Sequence, residues 1–277
     1  MASAHPAGAS GETVTRTDTV LRGRDTITTR LDAALGGARS GEATVTLVQG
    51  EPGSGKTALC RYARLRALAE GMHATDYDAV EGEADLPMAA LSALLRPLLD
   101  HAEALPAGQR RAIATAIGTS DEPITDRFSL GAATLGLLCA AGEHKPLLLV
   151  IDDAQWLDPL SADALSFALR RLALDAVTVL VTARTGSCPL RLPASCTRVA
   201  ISGLGMPDTM AMLADAGLAA THTVAVRLVE ETGGLPLAVL ETAAALTSAQ
   251  RAGHERLPSP LPIGRRVTEA YRDRLVG

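Results

Sequence analysis

Eight residues constrain this chain more than any others: Gly50-Glu51-Pro52-Gly53-Ser54-Gly55-Lys56-Thr57 fit the spacing G-x-x-x-x-G-K-[ST]. Their flanks fit as well. Residues 44–49, Thr-Val-Thr-Leu-Val-Gln, are β-branched and apolar as in a buried parallel strand, and residues 58–69 carry apolar side chains at helical spacing. Strand, glycine-rich loop and helix are the arrangement that phosphate binding needs. Glycines let consecutive backbone N–H groups turn onto phosphate oxygens without Cβ clashes, and the helix N-terminus adds its dipole. In that setting Lys56 supplies a point charge for the β- and γ-phosphates, and the Thr57 hydroxyl supplies a ligand for Mg2+. A chance glycine-rich turn is the competing reading, and it leaves the matching flanks unexplained. Lysine occurs only at Lys56 and Lys145 among 26 basic residues, so a chain that otherwise uses arginine keeps the compact ammonium in this loop.

Composition narrows the remaining choices. A chain of 277 residues has room for one α/β domain and a smaller appendage, and 47% hydrophobic residues predict a folded core. That core must be Leu, Val and Ala, because aromatics are only 2%. A net charge of -5 argues against nucleic-acid binding by this chain in its own right. Cys60, Cys139, Cys188 and Cys196 make no C-x-x-C pair and read as reduced thiols of a cytoplasmic protein. The six histidines are scattered without metal-ligand spacing, no apolar run is long enough to span a membrane, and the N-terminus has no apolar signal core.

The second informative stretch is Pro146-Leu147-Leu148-Leu149-Val150-Ile151-Asp152-Asp153. A continuous apolar run ending in two carboxylates predicts a buried central strand with acids at its C-terminal edge, where nucleotides bind in open α/β sheets. Asp152 there can hold Mg2+ opposite Thr57, and Asp153 can orient or deprotonate an attacking water. Capping a turn is the plainer role for the pair. Trp156, the single Trp, reads as a packing anchor. Arg184 closes the predicted strand 177–183, where it could sense a γ-phosphate or equally be a solvated charge.

The rest of the chain supplies the frame. Residues 1–20 are small and polar and are expected to be disordered. A first helix is expected after Asp25, which is placed to cap it, with Gly36-Gly37 at or near its end. Residues 72–80 form a polar strand expected near a sheet edge, inside a run of six acids over 70–85 that reads as a solvated face. Helices are expected over 86–100, kinked or ended by Pro97, over 106–117, over 124–141 starting at or near Asp126, and over 162–172. Arg198-Val199-Ala200-Ile201 is a short last strand. From 207 onward only short helices are expected, over 207–216, 223–231 and 237–246, with Gly233-Gly234 a stop and Pro236 a start. Residues 251–277, with six Arg against three acids, read as a proline-rich loop and a final helix.

Assembled, these stretches resemble the signal-transduction ATPases with numerous domains (STAND), and among them the nucleotide-binding domain of the large LuxR-type transcriptional regulators of actinobacteria. The matching pieces are Leu21-Arg22-Gly23-Arg24-Asp25, the loop 50–57, Glu81-Gly82-Glu83-Ala84-Asp85-Leu86-Pro87, the run 147–158 with its Asp-Asp-Ala-Gln-Trp-Leu-Asp, Val181-Thr182-Ala183-Arg184, and Glu231-Thr232-Gly233-Gly234-Leu235-Pro236-Leu237. The resemblance covers roughly residues 20 to 277. It implies that Arg24 lies against the base and ribose, that Pro236 packs on adenine, and that Arg184 contacts the γ-phosphate. It also implies ADP held in a closed state that opens on effector plus ATP, a protein or small-molecule effector acting through domains absent here, and nucleotide-dependent self-association. Two departures matter. Gly234-Leu235-Pro236-Leu237 stands where many relatives have Gly-Asn-Pro-Leu, and the chain stops where relatives continue into a winged helix, a repeat-rich sensor and a helix-turn-helix.

The expected fold is therefore α/β: a P-loop NTPase with a mostly parallel five-stranded sheet between helices over 21–203, a small helical subdomain over 204–250, and the start of a following domain over 251–277. The expected function is an ATP/ADP- and Mg2+-binding switch that hydrolyses slowly and does not itself bind DNA or membrane. An ordinary enzyme such as a kinase would need an acceptor site, which nothing in the sequence marks. An interaction module with a vestigial site is opposed by the intact Lys56, Thr57, Asp152 and Asp153.

Overall fold

The computed structural model describes residues 21–120 and 127–262. The disorder expected over 1–20, the helix start near Asp126 and the final helix expected beyond 262 lie outside the described residues.

Five strands form one sheet in the order β2 (His73–Asp78), β3 (Leu147–Asp152), β4 (Val177–Ala183), β1 (Thr44–Gly50), β5 (Thr197–Ile201), and every pairing is parallel. β4 thus separates the phosphate-loop strand from the strand that ends in the acid pair. Every residue of β3 and β4 is buried, which is why residues 147–151 read as an unbroken apolar run and β4 as an apolar, β-branched one interrupted by Thr178 and Thr182 alone. β2 is the edge expected from its polarity, with Asp76 and Asp78 exposed.

The pleat sorts the strand residues between two layers of helices. Val48, Leu148, Val150 and Leu180 pack with α1 (Asp25–Arg39) and α2 (Lys56–Ala69) through Ile27, Leu31, Leu35, Leu59 and Ala63. Their neighbours Leu47, Leu149, Ile151, Val179 and Val181 face the other way. There they meet α3 (Ala89–Leu95), α4 (Ala107–Ala116), α5 (Arg127–His144) and α6 (Pro159–Leu169). A separate cluster of Leu213, Val224, Leu228, Val239 and Ala243 joins α7 (Met206–Asp215), α8 (His222–Thr232) and α9 (Pro236–Ala245), with the short α10 (Ser248–Arg251) closed by a Thr247/Gln250 capping box. No helix among the described residues is long and apolar enough to cross a membrane.

Local expectations needed several corrections. Asp25 does not cap α1; it is the first helical residue, Arg24 holds the cap position, and Asp25 contributes charge near the positive end of the helix dipole. Gly36-Gly37 lies near the end of α1, as expected, without stopping it: buried Leu35 and Ala38 offset the roughly 1 kcal/mol lost at each glycine, the helix runs to Arg39, and Gly41 takes the left-handed turn. The helix expected over 86–100 is split: α3 stops at Leu95 and a 3-10 segment, Arg96–Ala104, carries Pro97 in its first turn. α6 starts and ends three residues before its expected bounds, since Asp158 accepts from the Ser161 N–H and caps it with Pro159 in the first turn. The histidines scattered in sequence are not all scattered in space. His73, His101 and His144 gather from three elements with ring centroids 5.2 to 6.5 Å apart.

Candidate functional site

The phosphate loop leaves β1 at Gly50 and enters α2 at Lys56. A Cβ on Gly50 would sit 2.7 Å from both Ile201 Cγ1 and Ser54 Oγ, so only glycine lets the strand end pass β5. Gly53 has φ +76° and would bring a Cβ within 2.9 Å of Leu237 Cβ. Lys56 is only 6% exposed; its Nζ donates to Gly50 O (3.1 Å) and Glu51 O (3.3 Å) and lies 3.9 Å from Asp153 Oδ1. Burial pulls its pKa below the ordinary lysine value, opposed by the charges of Asp153 and Asp152. Ser54 Oγ is buried without a hydrogen-bond partner among the described residues. A partly desolvated ammonium satisfied by its own loop's carbonyls, beside an orphaned hydroxyl and a glycine cradle, fits an incoming phosphate chain.

The acid pair stands at the end of β3, one strand beyond β4 from the phosphate loop. Asp152 is buried; its Oδ1 accepts from the Thr182 hydroxyl and from the Asp153 N–H (3.1 Å), and its carbonyl accepts from the Ala79 N–H (3.1 Å). The same Thr182 oxygen accepts from the Asp153 N–H at 3.0 Å. These bonds hold Asp153 in the left-handed region (φ 49°, ψ 47°), a conformation that costs a non-glycine residue about 1–3 kcal/mol, and aim its carboxylate at Lys56. Thr182 lies inside the stretch Val181-Thr182-Ala183-Arg184, and nothing in its own sequence neighbourhood marks it as a site residue. A strand-end hydroxyl beside the acid-pair strand is the signal that could have found it.

Asp78 was also missed. It pairs in register with Asp152 at the end of β2, and desolvation followed by the charges of Asp152 and Asp153 raises its carboxyl pKa. Its position at a strand end, like that of Asp152, was the available clue. Burial and Asp152 likewise push the Cys60 thiol well above its ordinary value, so Cys60 stays protonated. Exposed Thr57, buried Asp152 and crowded Asp78 are hard oxygen donors, a set whose chemistry suits a divalent cation such as Mg2+.

The remaining predicted residues take different places. Arg24 Nη2 donates to Ser54 O (3.0 Å) in the loop and to Ser202 O (2.6 Å) just after β5. Burial lowers its pKa, opposed by Asp208. Arg24 and Ile27, with Ala200 and Ile201, line a cavity of about 270 Å3 beside this contact. Arg184 donates its N–H to Gln155 Oε1 (3.0 Å), and its guanidinium lies 5.3 Å from the Trp156 ring centroid. Pro236 opens α9, and the next N–H, that of Leu237, donates to Gly53 O (3.2 Å). The turn is pinned from the other side by Leu204 N–H donating to Gly234 O (2.8 Å). Glu51 and Pro52, partly exposed, complete the loop.

Comparison with known proteins agrees with this geometry. The family description of the AAA ATPase domain matches residues 20–181. A curated uncharacterized protein of Rhizobium meliloti is 28% identical over 206 residues, 62% of this chain, but the match spans only 19% of that protein. Among solved structures, the chain is similar to a Walker-type ATPase of Pyrococcus abyssi (TM-score 0.53, 14% identity, 92% of this chain and 73% of that one). It is also similar to the ORC2 protein of Aeropyrum pernix in its ADP form (TM-score 0.52, 19% identity, 91% and 69%). At such identities the likeness speaks to fold. The family match contains the loop 50–57, the acid pair and all but the last two residues of the strand inserted between them, and by that match the chain belongs to the AAA ATPase domain family, which implies nucleotide binding.

Proposed function

We propose that this chain is an ATP-binding switch of the STAND type, akin to the nucleotide-binding part of a large LuxR-type regulator, and that it hydrolyses ATP slowly. The observation that carries the reading is the bond from Leu237 N–H to Gly53 O. It ties the helical segment α7–α9 directly to the phosphate loop, and Arg24 adds a tie from Ser54 to the chain leaving β5. A loop that must rearrange around a phosphate chain then disturbs the contacts of a separately packed helical cluster, which is how occupancy becomes a change of shape.

In this reading the loop N–H groups and Lys56 hold the phosphates. Thr57 and Asp152 would hold Mg2+, which when bound neutralises phosphate charge. Asp153 orients the attacking water once Lys56 has turned from it to the phosphates. Arg184 is a candidate for the γ-phosphate, and reaching it would require leaving the Trp156 face. Slow turnover follows because closure depends on partners outside this chain. An effector, cytoplasmic placement, nucleotide-dependent self-association and the lack of DNA binding by this chain alone belong to the same proposal. The Rhizobium relative, far longer than the matched stretch, supports further domains in relatives of this kind.

The test is equilibrium ATP binding beside single-turnover hydrolysis for wild type, Asp152→Asn and Asp153→Asn. Slow wild-type turnover is expected. Asp152→Asn should weaken Mg-dependent binding, and Asp153→Asn should bind ATP yet lose about two to four orders of magnitude in rate. Fast multiple turnover by the isolated chain would refute the switch.

A further inference from the structure

Both phenylalanines of the chain meet at one surface hollow remote in sequence from the phosphate loop. Phe128 on α5 and Phe167 on α6 stand edge to face, with centroids 5.3 Å apart and planes at 84°. The approach depends on Gly131, where a Cβ would lie 2.6 Å from Phe167 Cγ. Phe128 nevertheless remains 67% exposed. In so aromatic-poor a chain, a large ring left in water at the wall of a concavity is the feature to explain.

The electrostatics of the hollow oppose those of the whole molecule. It encloses about 400 Å3 and is lined by four arginines against one aspartate, in a chain of net charge -5. Two of the arginines are already engaged. Arg127 pairs with Asp163 (2.5 Å), while Arg171 lies 3.6 Å from the Phe167 centroid and donates to the Phe167 carbonyl (3.0 Å). Arg170 and Arg191 are exposed, and their guanidinium groups make no hydrogen bond or ion pair with another described residue. The Arg191 backbone is fixed, its N–H donating to the buried Ser166 Oγ at 2.9 Å. Two unengaged planar forks and an exposed ring thus share one hollow whose walls are held by packing and hydrogen bonds.

We propose that this hollow is a second, separate ligand site, for a nucleoside monophosphate: a flat ring against Phe128 and a phosphate on Arg170 and Arg191. Guanidinium forks match phosphate oxygens two at a time, and an aromatic face stacks on any base. The volume lies within the range of about 300–1,000 Å3 usual for small-molecule sites. An inorganic anion would leave Phe128 in water, and an apolar ligand would strip water from the guanidinium groups without replacing it. None of the residues used here belongs to the phosphate loop, the acid pair or their contacts.

Equilibrium dialysis of the full chain carrying Lys56→Ala, with radiolabelled AMP and GMP, tests the site with the phosphate loop disabled. One saturable molecule per chain is expected. Arg170→Ala and Arg191→Ala should each weaken it about tenfold or more, Phe128→Ala about fivefold or more, and Phe128→Tyr should restore it. Unchanged urea midpoints confirm that the variants fold. Absence of saturable binding up to millimolar nucleotide overturns the proposal, as does binding indifferent to these substitutions. Competition by inorganic phosphate as effective as by AMP would also overturn it, since the ring would then contribute nothing. ATP affinity left intact by Lys56→Ala would instead overturn the phosphate-loop reading. The Arg170, Arg191 and Phe128 variants report on the hollow in either case.

Discussion

Thr182→Val is the most revealing single change. Valine keeps the shape and the β-propensity of β4, so the change reduces to the loss of one hydroxyl. That hydroxyl donates to the buried Asp152 carboxylate and accepts the Asp153 N–H. A hydrogen bond to a charged group contributes about 1.5–3 kcal/mol, and a neutral one about 1 kcal/mol. The Asp153 N–H retains Asp152 Oδ1 at 3.1 Å, so the second loss is partial. The sum is about 2–4 kcal/mol of stability. Because the same bonds hold Asp153 left-handed, its carboxylate should wander, and hydrolysis should fall at least about tenfold while ATP binding changes little. Urea unfolding and single-turnover hydrolysis measure the two effects. Thr182→Ser, which keeps the hydroxyl, should recover most of both. In an Asp152→Asn background the penalty of Thr182→Val should shrink by about 1 kcal/mol, because the lost acceptor is then uncharged. A valine variant within about 0.5 kcal/mol of wild type, with normal hydrolysis, would refute the reasoning.

Other outcomes follow from contacts already described. Lys56→Met should lower ATP and ADP affinity about tenfold to a hundredfold, while the nucleotide-free protein melts no lower than wild type, since burial disfavours the ammonium; a large drop in melting temperature would contradict this. His73 has a pKa held below the usual histidine value by burial, Lys145, His101 and His144, so the folded state resists a proton that the unfolded chain accepts. Its stabilising contribution is present above about pH 6.5 and is lost as pH falls below that, and His73→Gln should flatten the urea midpoint between pH 7 and pH 5. Burial raises all four thiols, Cys139 to about 12, so iodoacetamide at pH 8 should label the native protein slowly and the urea-unfolded protein at four sites; rapid native labelling would show an open thiol. Trp156 emission should shift on Mg-ATP binding if Arg184 leaves its ring, and the shift should vanish in Arg184→Ala.

The parts most legible in the sequence were those where one physical requirement dominates a short stretch. Residues 147–152 can only be a strand buried on both faces, and 50–57 can only serve a backbone that curls on itself. Helix ends were less legible because tertiary packing decides them: Leu35 and Ala38 carry α1 through two glycines. The site's supporting residues were hidden for another reason. Thr182 and Asp78 act through partners 30 and 74 residues away in the chain, on Asp152 and beside it, and Arg24, which the family resemblance did point to, makes a bond that no local pattern foretold, on Ser202 178 residues away. No local pattern encodes such meetings; the strand order does.

That strand order also fixes when the site can exist. Among the described residues β1, which carries the phosphate loop, pairs only with β4 and β5, and Thr44 meets Thr178, 134 positions later in the chain. Nothing made earlier can flank it, since β2 and β3 lie beyond β4 in the sheet. During synthesis the loop is translated early, but its strand stays unpartnered until β4 emerges from the ribosome. Closing so long a loop is slow, and an apolar strand left without neighbours invites association with other chains. A polypeptide truncated between β3 and β4 would hold every residue of the phosphate motif and have no sheet position in which to present it.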